Sequence, residues 1–185
     1  MAFDVANFVS AGLPLGGARP SLFQVVVDTP NGIPNIGARM AFTCSAAQLP
    51  SSVIGVVEAP YFGRRVKLAG NRTFEPWTVT VLNDEDFQVR NAMEQWSNAI
   101  NSHKANLRSV NISTPAQYRT TGLVTQFSKT GVPIRTYKMV NLWPSNIAAI
   151  DLNWETADAI ETFTVEFQYD YWEVVAPSTT GVLQA

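Results

Sequence analysis

The segment from residue 162 to residue 171 constrains the fold more than any other part of the chain. Its side chains alternate strictly between polar and apolar. The apolar positions are Phe163, Val165, Phe167, Tyr169 and Tyr171. Because successive side chains of a β-strand point to opposite faces, this period of two predicts one long strand with a buried face. We therefore expect Phe163, Val165 and Phe167 to lie in the hydrophobic core.

The rest of the chain contains further β-rich segments and one helix. The helix is predicted over 84–101, because its apolar residues recur at helical spacing. The other candidate strands, separated by turn residues, are 22–28, 41–49, 53–59, 65–69, 77–81, 118–127 and 134–143. We expect a mainly β (α+β) fold, an antiparallel β-sandwich or partial barrel with one packed α-helix.

Nothing in the sequence suggests a linker, so residues 1–185 are predicted to form a single domain. Residues 4–20 are glycine-rich and predict an irregular N-terminal arm, and residues 60–72 predict a hairpin loop. Residues 174–185 form the C-terminal tail. No stretch approaches the ~18 apolar residues of a spanning helix. We therefore expect no membrane segment.

The composition favours an oligomer. Apolar residues make up 46% of the chain and charged residues only 15%, against about 25% charged residues in ordinary soluble domains. Subunit interfaces are more apolar than free surfaces, although a β protein with a polar but uncharged surface would fit the same figures. The net charge of −2 and the pI near 5.4 argue against a nucleic-acid binder with a basic face.

The residues needed for catalysis are scarce. His103 is the only histidine and lies in a polar segment after the helix, where solvation is its ordinary role. Cys44 is the only cysteine and is expected to be a structural thiol. Residues 84–86 are acidic, and capping of the helix explains them without a metal. We expect a protein that is not an enzyme, with no catalytic residues, cofactor or metal site.

Two features allow more than one interpretation. The basic residues of the hairpin loop are Arg64, Arg65, Lys67 and Arg72. They suit a solvated hairpin or a salt-bridging surface for a neighbouring subunit better than a phosphate clamp, because the background is acidic. The C-terminal aromatic residues suit a sugar-stacking site, but their alternation places most of them in the core.

Several motifs, in their order and spacing, resemble one known family. The chain closes on Tyr-Asp-Tyr-Trp-Glu at 169–173, the segment 42–50 ends in Leu-Pro, and the block 66–81 precedes Asn-Asp-Glu at 83–85. Leu-Trp-Pro at 142–144 precedes the last strand. Together these motifs resemble the tail tube proteins of contractile-tailed bacteriophages, and the resemblance covers nearly the whole chain.

The resemblance implies a structural virion protein, made in the bacterial host cytoplasm and located in the phage tail. Its subunits would form hexameric rings that stack into a tube. Its partners would be copies of itself, the tail sheath protein, and the baseplate and tail-terminator proteins. Genomic DNA would pass through the lumen without sequence-specific binding. The alternatives are a tube protein of another contractile injection or secretion system, and a monomeric carbohydrate-binding β-sandwich.

The hairpin and the inner wall of the tube supply the candidate site residues. The ring-stacking hairpin is assigned to Pro60, Tyr61, Phe62, Gly63, Arg64, Arg65, Lys67 and Arg72. The lumen-facing candidates are Glu58, Gln126, Thr136 and Lys138. A ring of unpaired lysines would retard passing phosphate. Lys138 is therefore expected to pair with a carboxylate, for instance that of Glu58, or to point away from the lumen.

Overall fold

The computed structural model describes residues 5–156 and 158–175. The strands are β1 Phe23–Val27, β2 Cys44–Ala47, β3 Val53–Tyr61, β4 Arg64–Thr73, β5 Trp77–Leu82, β6 Thr120–Phe127, β7 Pro133–Ile147, β8 Thr162–Gln168 and β9 Tyr171–Val175. The helices are α1 Val5–Asn7, which continues into a π-helical turn Phe8–Gly12, α2 Gly37–Thr43, α3 Gln88–Ile100 and α4 Pro115–Tyr118, and a 3-10 turn spans Val110–Ile112. The mainly β, antiparallel fold class is confirmed.

The long strand β7 organises the two layers of the sheet system. Its first part lies between β6 and β9, in the order β1-β6-β7-β9, and its second part pairs with β8, in the order β7-β8-β5-β2. All of these pairings are antiparallel. Asn141, at the change of partner, has a φ of 60°, a conformation that asparagine tolerates better than most residues. β7 therefore serves both sheets by bending.

The core lies between the sheets and under α3. Phe163 is 2% exposed, and Val165 and Phe167 are fully buried, which confirms the face predicted for β8. The Phe167 ring lies 5.7 Å from the ring of Trp77 on β5 and 6.4 Å from that of Trp96 on α3. One aromatic residue thus joins two strands and the main helix.

The single strand predicted over 162–171 is divided in the structure. β8 ends at Gln168, and β9 begins at Tyr171 on the other sheet. Between them, the Asp170 backbone N–H donates to the carbonyl of Val140, and its carboxylate accepts hydrogen bonds from Asn141 and Arg119. These contacts redirect the chain, so Tyr171 is 46% exposed instead of lying in the core.

Four further predictions about local structure need correction. Residues 41–43 belong to α2 and not to a strand, because Met40 and Ile36 are buried in the core at this end of the sheet. Residues 84–87 form a turn before α3, in which the Asp86 side chain accepts from the Gln88 N–H. The arm predicted as irregular over 4–20 contains the helical turns of residues 5–12. Of the predicted tail, Val174 and Val175 belong to β9, and residues 176–185 lie outside the described residues.

Candidate assembly surfaces

The hairpin formed by β3 and β4 stands apart from the rest of the subunit. The two strands pair with each other and, among the described strands, with no other. None of their residues is buried. Phe62 and Gly63 form the connecting turn with φ values of 42° and 79°, as a two-residue hairpin turn of the I′ type requires. Because an isolated two-stranded hairpin is only marginally stable in water, this element is suited to packing against another molecule.

One side of the hairpin, called here the apolar hairpin face, is almost free of charge. Val57 is opposite Leu68, Ala59 is opposite Val66, and Tyr61 is opposite Arg64, so these side chains share a face. Without Arg64 at its end, the face consists of Val57, Ala59, Tyr61, Val66 and Leu68. Val57 is 54% exposed and Leu68 is 53% exposed. Apolar surface gathered in this way on a protruding element marks an interaction site.

The opposite side carries most of the hairpin charge and is called here the charged hairpin face. Glu58 lies directly across from Lys67. The Arg65 Nη1 atom lies 2.8 Å from the Glu58 Oε2 atom. The pair is exposed and contributes about 0–1 kcal/mol to stability, but it reduces the positive charge that the sequence suggested. Arg72 lies beyond the bulge and donates to the Ser52 hydroxyl oxygen over 3.3 Å.

The eight residues assigned to ring stacking all lie on this hairpin, but on different sides of it. Phe62 and Gly63 are at the turn, Tyr61 and Arg64 are at the end of the apolar hairpin face, and the remaining four lie elsewhere. Pro60, Arg65 and Lys67 share the charged hairpin face, and Arg72 lies near the base of the hairpin. The predicted hairpin over 60–72 covers the end of β3, the turn and β4 as far as Arg72, within an element that extends from 53 to 73.

The four lumen candidates do not lie on one surface of the subunit. Thr136 and Lys138 are two residues apart on β7 and share a face. Thr125 is opposite Thr136, so Gln126 lies on the other face of β6, where it donates to the carbonyl of Arg19. Glu58 belongs to the separate hairpin. The structure therefore brings together only Thr136 and Lys138.

On the polar face of the sheet, Thr136 and Lys138 each pair with another polar side chain of the same subunit. The Thr136 and Thr125 hydroxyl oxygens are 3.1 Å apart, and Thr136 is only 7% exposed. Lys138 Nζ lies 3.1 Å from Glu173 Oε1, because the two residues are directly opposite on β7 and β9. The suggestion that Glu58 pairs with Lys138 is wrong, since Glu58 bonds to Arg65 on the hairpin.

Several strand edges are free for pairing with another chain. Within the part of the chain that the structure describes, β1, β2 and β9 each pair with a neighbour on one side only. Free edges of this kind are templates for further strand pairing. More apolar side chains are exposed on the N-terminal arm and on the loop between β7 and β8; they are Val5, Phe8, Val9, Leu13, Leu15, Leu152, Trp154 and Ile160.

The residues considered above for catalysis or metal binding have structural roles instead. Burial raises the pKa of the Cys44 thiol to about 12, so the thiol stays protonated at neutral pH and is a poor nucleophile. Asp84 and Asp86 both bind Arg39, which ties the start of α3 to α2. Within residues 5–156 and 158–175, no three histidine, cysteine or acidic side chains are placed to hold a metal ion together. None of the helices described is long and apolar enough to cross a membrane.

Comparisons with known proteins agree on one family. The family model described as "Phage tail tube protein" matches residues 18–175. The chain is 32% identical over 157 residues to the tail tube protein gp19 of Enterobacteria phage T4, which covers 84% of this chain and 91% of that protein. It is 26% identical over 120 residues to the tail tube protein of Serratia phage KSP90, over 65% of this chain and 66% of that protein.

A solved structure has a similar fold at low sequence identity. A chain in the six-fold symmetrised cryo-EM structure of the anti-feeding prophage baseplate has a TM-score of 0.60 with 14% identity, over 86% of this chain and 95% of that chain. At this level of identity, the likeness concerns the fold alone. The fold class inferred from the strand pattern is thus shared with a chain of this baseplate structure.

Proposed function

This chain belongs to the phage tail tube protein family, and we propose that its copies close into hexameric rings that stack into the tube of a contractile tail. The observation that carries the proposal is the hairpin of β3 and β4, which is unburied and apolar on one face. The hairpin residues 60–72 are the proposed stacking contact between rings.

The free strand edges of β1, β2 and β9 support ring closure. Pairing an edge of one subunit with an edge of the next removes both edges from water, and closure around an axis leaves none exposed. Contacts along the axis do not close, so they extend the assembly into a filament. The six-fold symmetry stated for the baseplate structure of similar fold supports six subunits as the ring size.

We assign the polar face around Thr136 and Lys138, with the charged hairpin face around Glu58, to the inner wall of the tube. In both places a carboxylate accompanies the cations, since Glu173 pairs with Lys138 and Glu58 pairs with Arg65. A wall with paired charges has weak affinity for phosphate, because tight binding of DNA needs unpaired Lys and Arg side chains. Such a wall suits a conduit through which genomic DNA moves into the host.

The partners proposed beyond the chain itself are the tail sheath protein, the baseplate and the tail terminator. A solved sheath–tube complex of an extracellular contractile injection system contains a chain of similar fold, with a TM-score of 0.55, 12% identity, and 94% of this chain and 98% of that chain covered. The protein would be made in the host cytoplasm and finish in the virion. It would act as a structural protein without catalysis.

Negative-stain microscopy and native mass spectrometry of the purified protein test this proposal. We expect six-subunit rings and tubes, with weak binding of duplex DNA that does not depend on sequence at physiological salt. A stable monomer that binds sugars would contradict the proposal, and so would sub-micromolar, sequence-dependent DNA binding. Tubes that accept the sheath of a secretion system but not a phage sheath would place the chain in another injection machine.

A further inference from the structure

The base of the hairpin is attached to the subunit by two tryptophan side chains from different strands. The segment that enters β3, residues 48–52, is called here the hairpin foot. The Trp77 Nε1–H donates to the carbonyl oxygen of Gln48 over 2.8 Å. The Trp172 Nε1–H donates to the carbonyl oxygen of Ser51 over 3.1 Å. The foot is thus held at both ends by indole N–H groups.

Both indoles are fixed by the core and not by the hairpin. Trp77 is 1% exposed, and its ring packs 5.7 Å from Phe167. Trp172 lies partly buried against the core, and its ring meets the Tyr137 ring edge-on at 5.5 Å. A donor on a packed ring has little freedom to follow a moving acceptor. The two hydrogen bonds therefore hold the hairpin foot in a fixed position relative to the core.

The other end of the hairpin is attached close by. Phe74 follows β4 and packs with its ring 5.9 Å from that of Tyr169. Trp77 lies three residues further along, so it connects the exit of the hairpin to the hairpin foot. Arg72 adds a bond from β4 to Ser52 in the foot. The hairpin itself has no buried residue, so its direction depends on these contacts at the base.

We propose that Trp77 and Trp172 are positioning residues, whose indole N–H groups fix the direction in which the hairpin leaves the subunit. This inference rests on the proposed function, since a fixed direction matters only if the hairpin meets a neighbouring subunit. A hairpin that is already aligned loses less conformational freedom on contact, which lowers the concentration needed for assembly. The proposal also gives Trp172, within the C-terminal motif, a role that is separate from burial.

A distance measurement on the free subunit tests the inference. Cys44 is the only cysteine, so Cys44→Ser provides a background in which Arg64→Cys and Lys104→Cys carry two spin labels. Pulsed electron–electron double resonance then reports the distribution of distances between the label on the hairpin and the label on the body of the subunit. Trp172→Phe and Trp77→Phe keep an aromatic ring and remove the N–H. We expect both substitutions to broaden the distance distribution.

Two other tryptophans provide matched controls. The buried Trp96 Nε1–H donates to the Tyr118 carbonyl over 2.9 Å, away from the hairpin. Trp96→Phe removes the same kind of bond and should lower stability without broadening the distribution. Trp154 is fully exposed, and Trp154→Phe should change neither the stability nor the distance distribution. If both hairpin variants keep the wild-type distribution, or if Trp96→Phe broadens it equally, the inference is overturned.

Assembly is measured separately, with unlabelled protein, by sedimentation of tubes. Trp172→Phe should raise the concentration needed for tubes about tenfold. Assembly must then align the hairpin itself, at a cost of about the free energy of one hydrogen bond. Tubes at the wild-type concentration despite a broadened distribution would refute the link to assembly. A wild-type protein that never forms tubes would refute the proposed function instead. Because the distances are measured on unassembled subunits, the two failures are distinguishable.

Discussion

The apolar hairpin face predicts a large effect of two small substitutions on assembly. Val57 and Leu68 are directly opposite each other and are each about half exposed in the subunit. Replacing both by alanine removes about five carbon atoms, each contributing about 0.8 kcal/mol when fully buried. About half of this burial is still available to a neighbouring subunit. Assembly should therefore lose about 2 kcal/mol per subunit contact, which is a factor of about thirty in concentration.

A pelleting assay over a range of protein concentrations measures this factor. The double variant Val57→Ala, Leu68→Ala should need about thirty times more protein to form tubes. Its melting temperature should stay close to that of the wild-type subunit, because neither side chain is buried there. A normal melting temperature ensures that a loss of tubes reflects a lost contact and not an unfolded subunit.

Val56 provides the matched control for this experiment. It lies on the charged hairpin face, next to Val57, and is 63% exposed. Val56→Ala removes the same groups as Val57→Ala from the opposite side of the same strand. It should leave the concentration for assembly near the wild-type value. Tubes from the double variant at the wild-type concentration, or an equal effect of Val56→Ala, would refute the assignment of the apolar hairpin face.

Three further predictions concern the subunit alone. Phe167→Ala should cost about 3–5 kcal/mol in urea unfolding, while Trp154→Ala, on a fully exposed side chain, should stay within about 0.5 kcal/mol. Gly122→Ala should cost about 1–3 kcal/mol in the same assay, because its Cβ would lie 3.2 Å from the Trp77 ring; no loss would refute that packing. The pKa of the Cys44 thiol is raised from 9.0 to about 12 in the folded protein, so between these pH values this thiol ionises only in the unfolded chain. Stability should therefore fall as pH rises through this window, by at most about 1.4 kcal/mol per pH unit, and an equal fall for Cys44→Ser would contradict this.

The sequence was most informative where a period of two reports burial directly. Phe163 and Phe167 were placed correctly, because alternation along one strand needs no knowledge of its neighbours. The division of that strand near Asp170 was missed. It depends on Asn141 and Arg119, which are 29 and 51 residues away in sequence. Contacts over such distances require the topology, and the local pattern carries no trace of them.

The candidate site was also only partly predictable from the sequence, because one contact depends on strand register. A second feature could have been predicted but was overlooked. The pairing of Lys138 with Glu173 requires the register of β7 against β9, which the sequence does not encode locally. The apolar hairpin face was detectable, since 57–61 alternates between apolar and other residues at Val57, Ala59 and Tyr61. The sequence interpretation concentrated on the basic side chains of this segment. It thereby overlooked the period that separates them from the apolar ones.

An exposed apolar hairpin also exposes the free subunit to unspecific strand pairing, and two features of the hairpin oppose this. The register shifts between Ile54 and Val56, at a place where a Cβ on Gly70 would lie 3.0 Å from the backbone oxygen of Gly55. A bulge of this kind increases the local twist, so a flat strand from another protein fits poorly against the edge. The charges around Glu58 keep the opposite face in water. A copy of the same chain carries the same twist and the same arrangement of faces, which favours self-assembly over unspecific pairing.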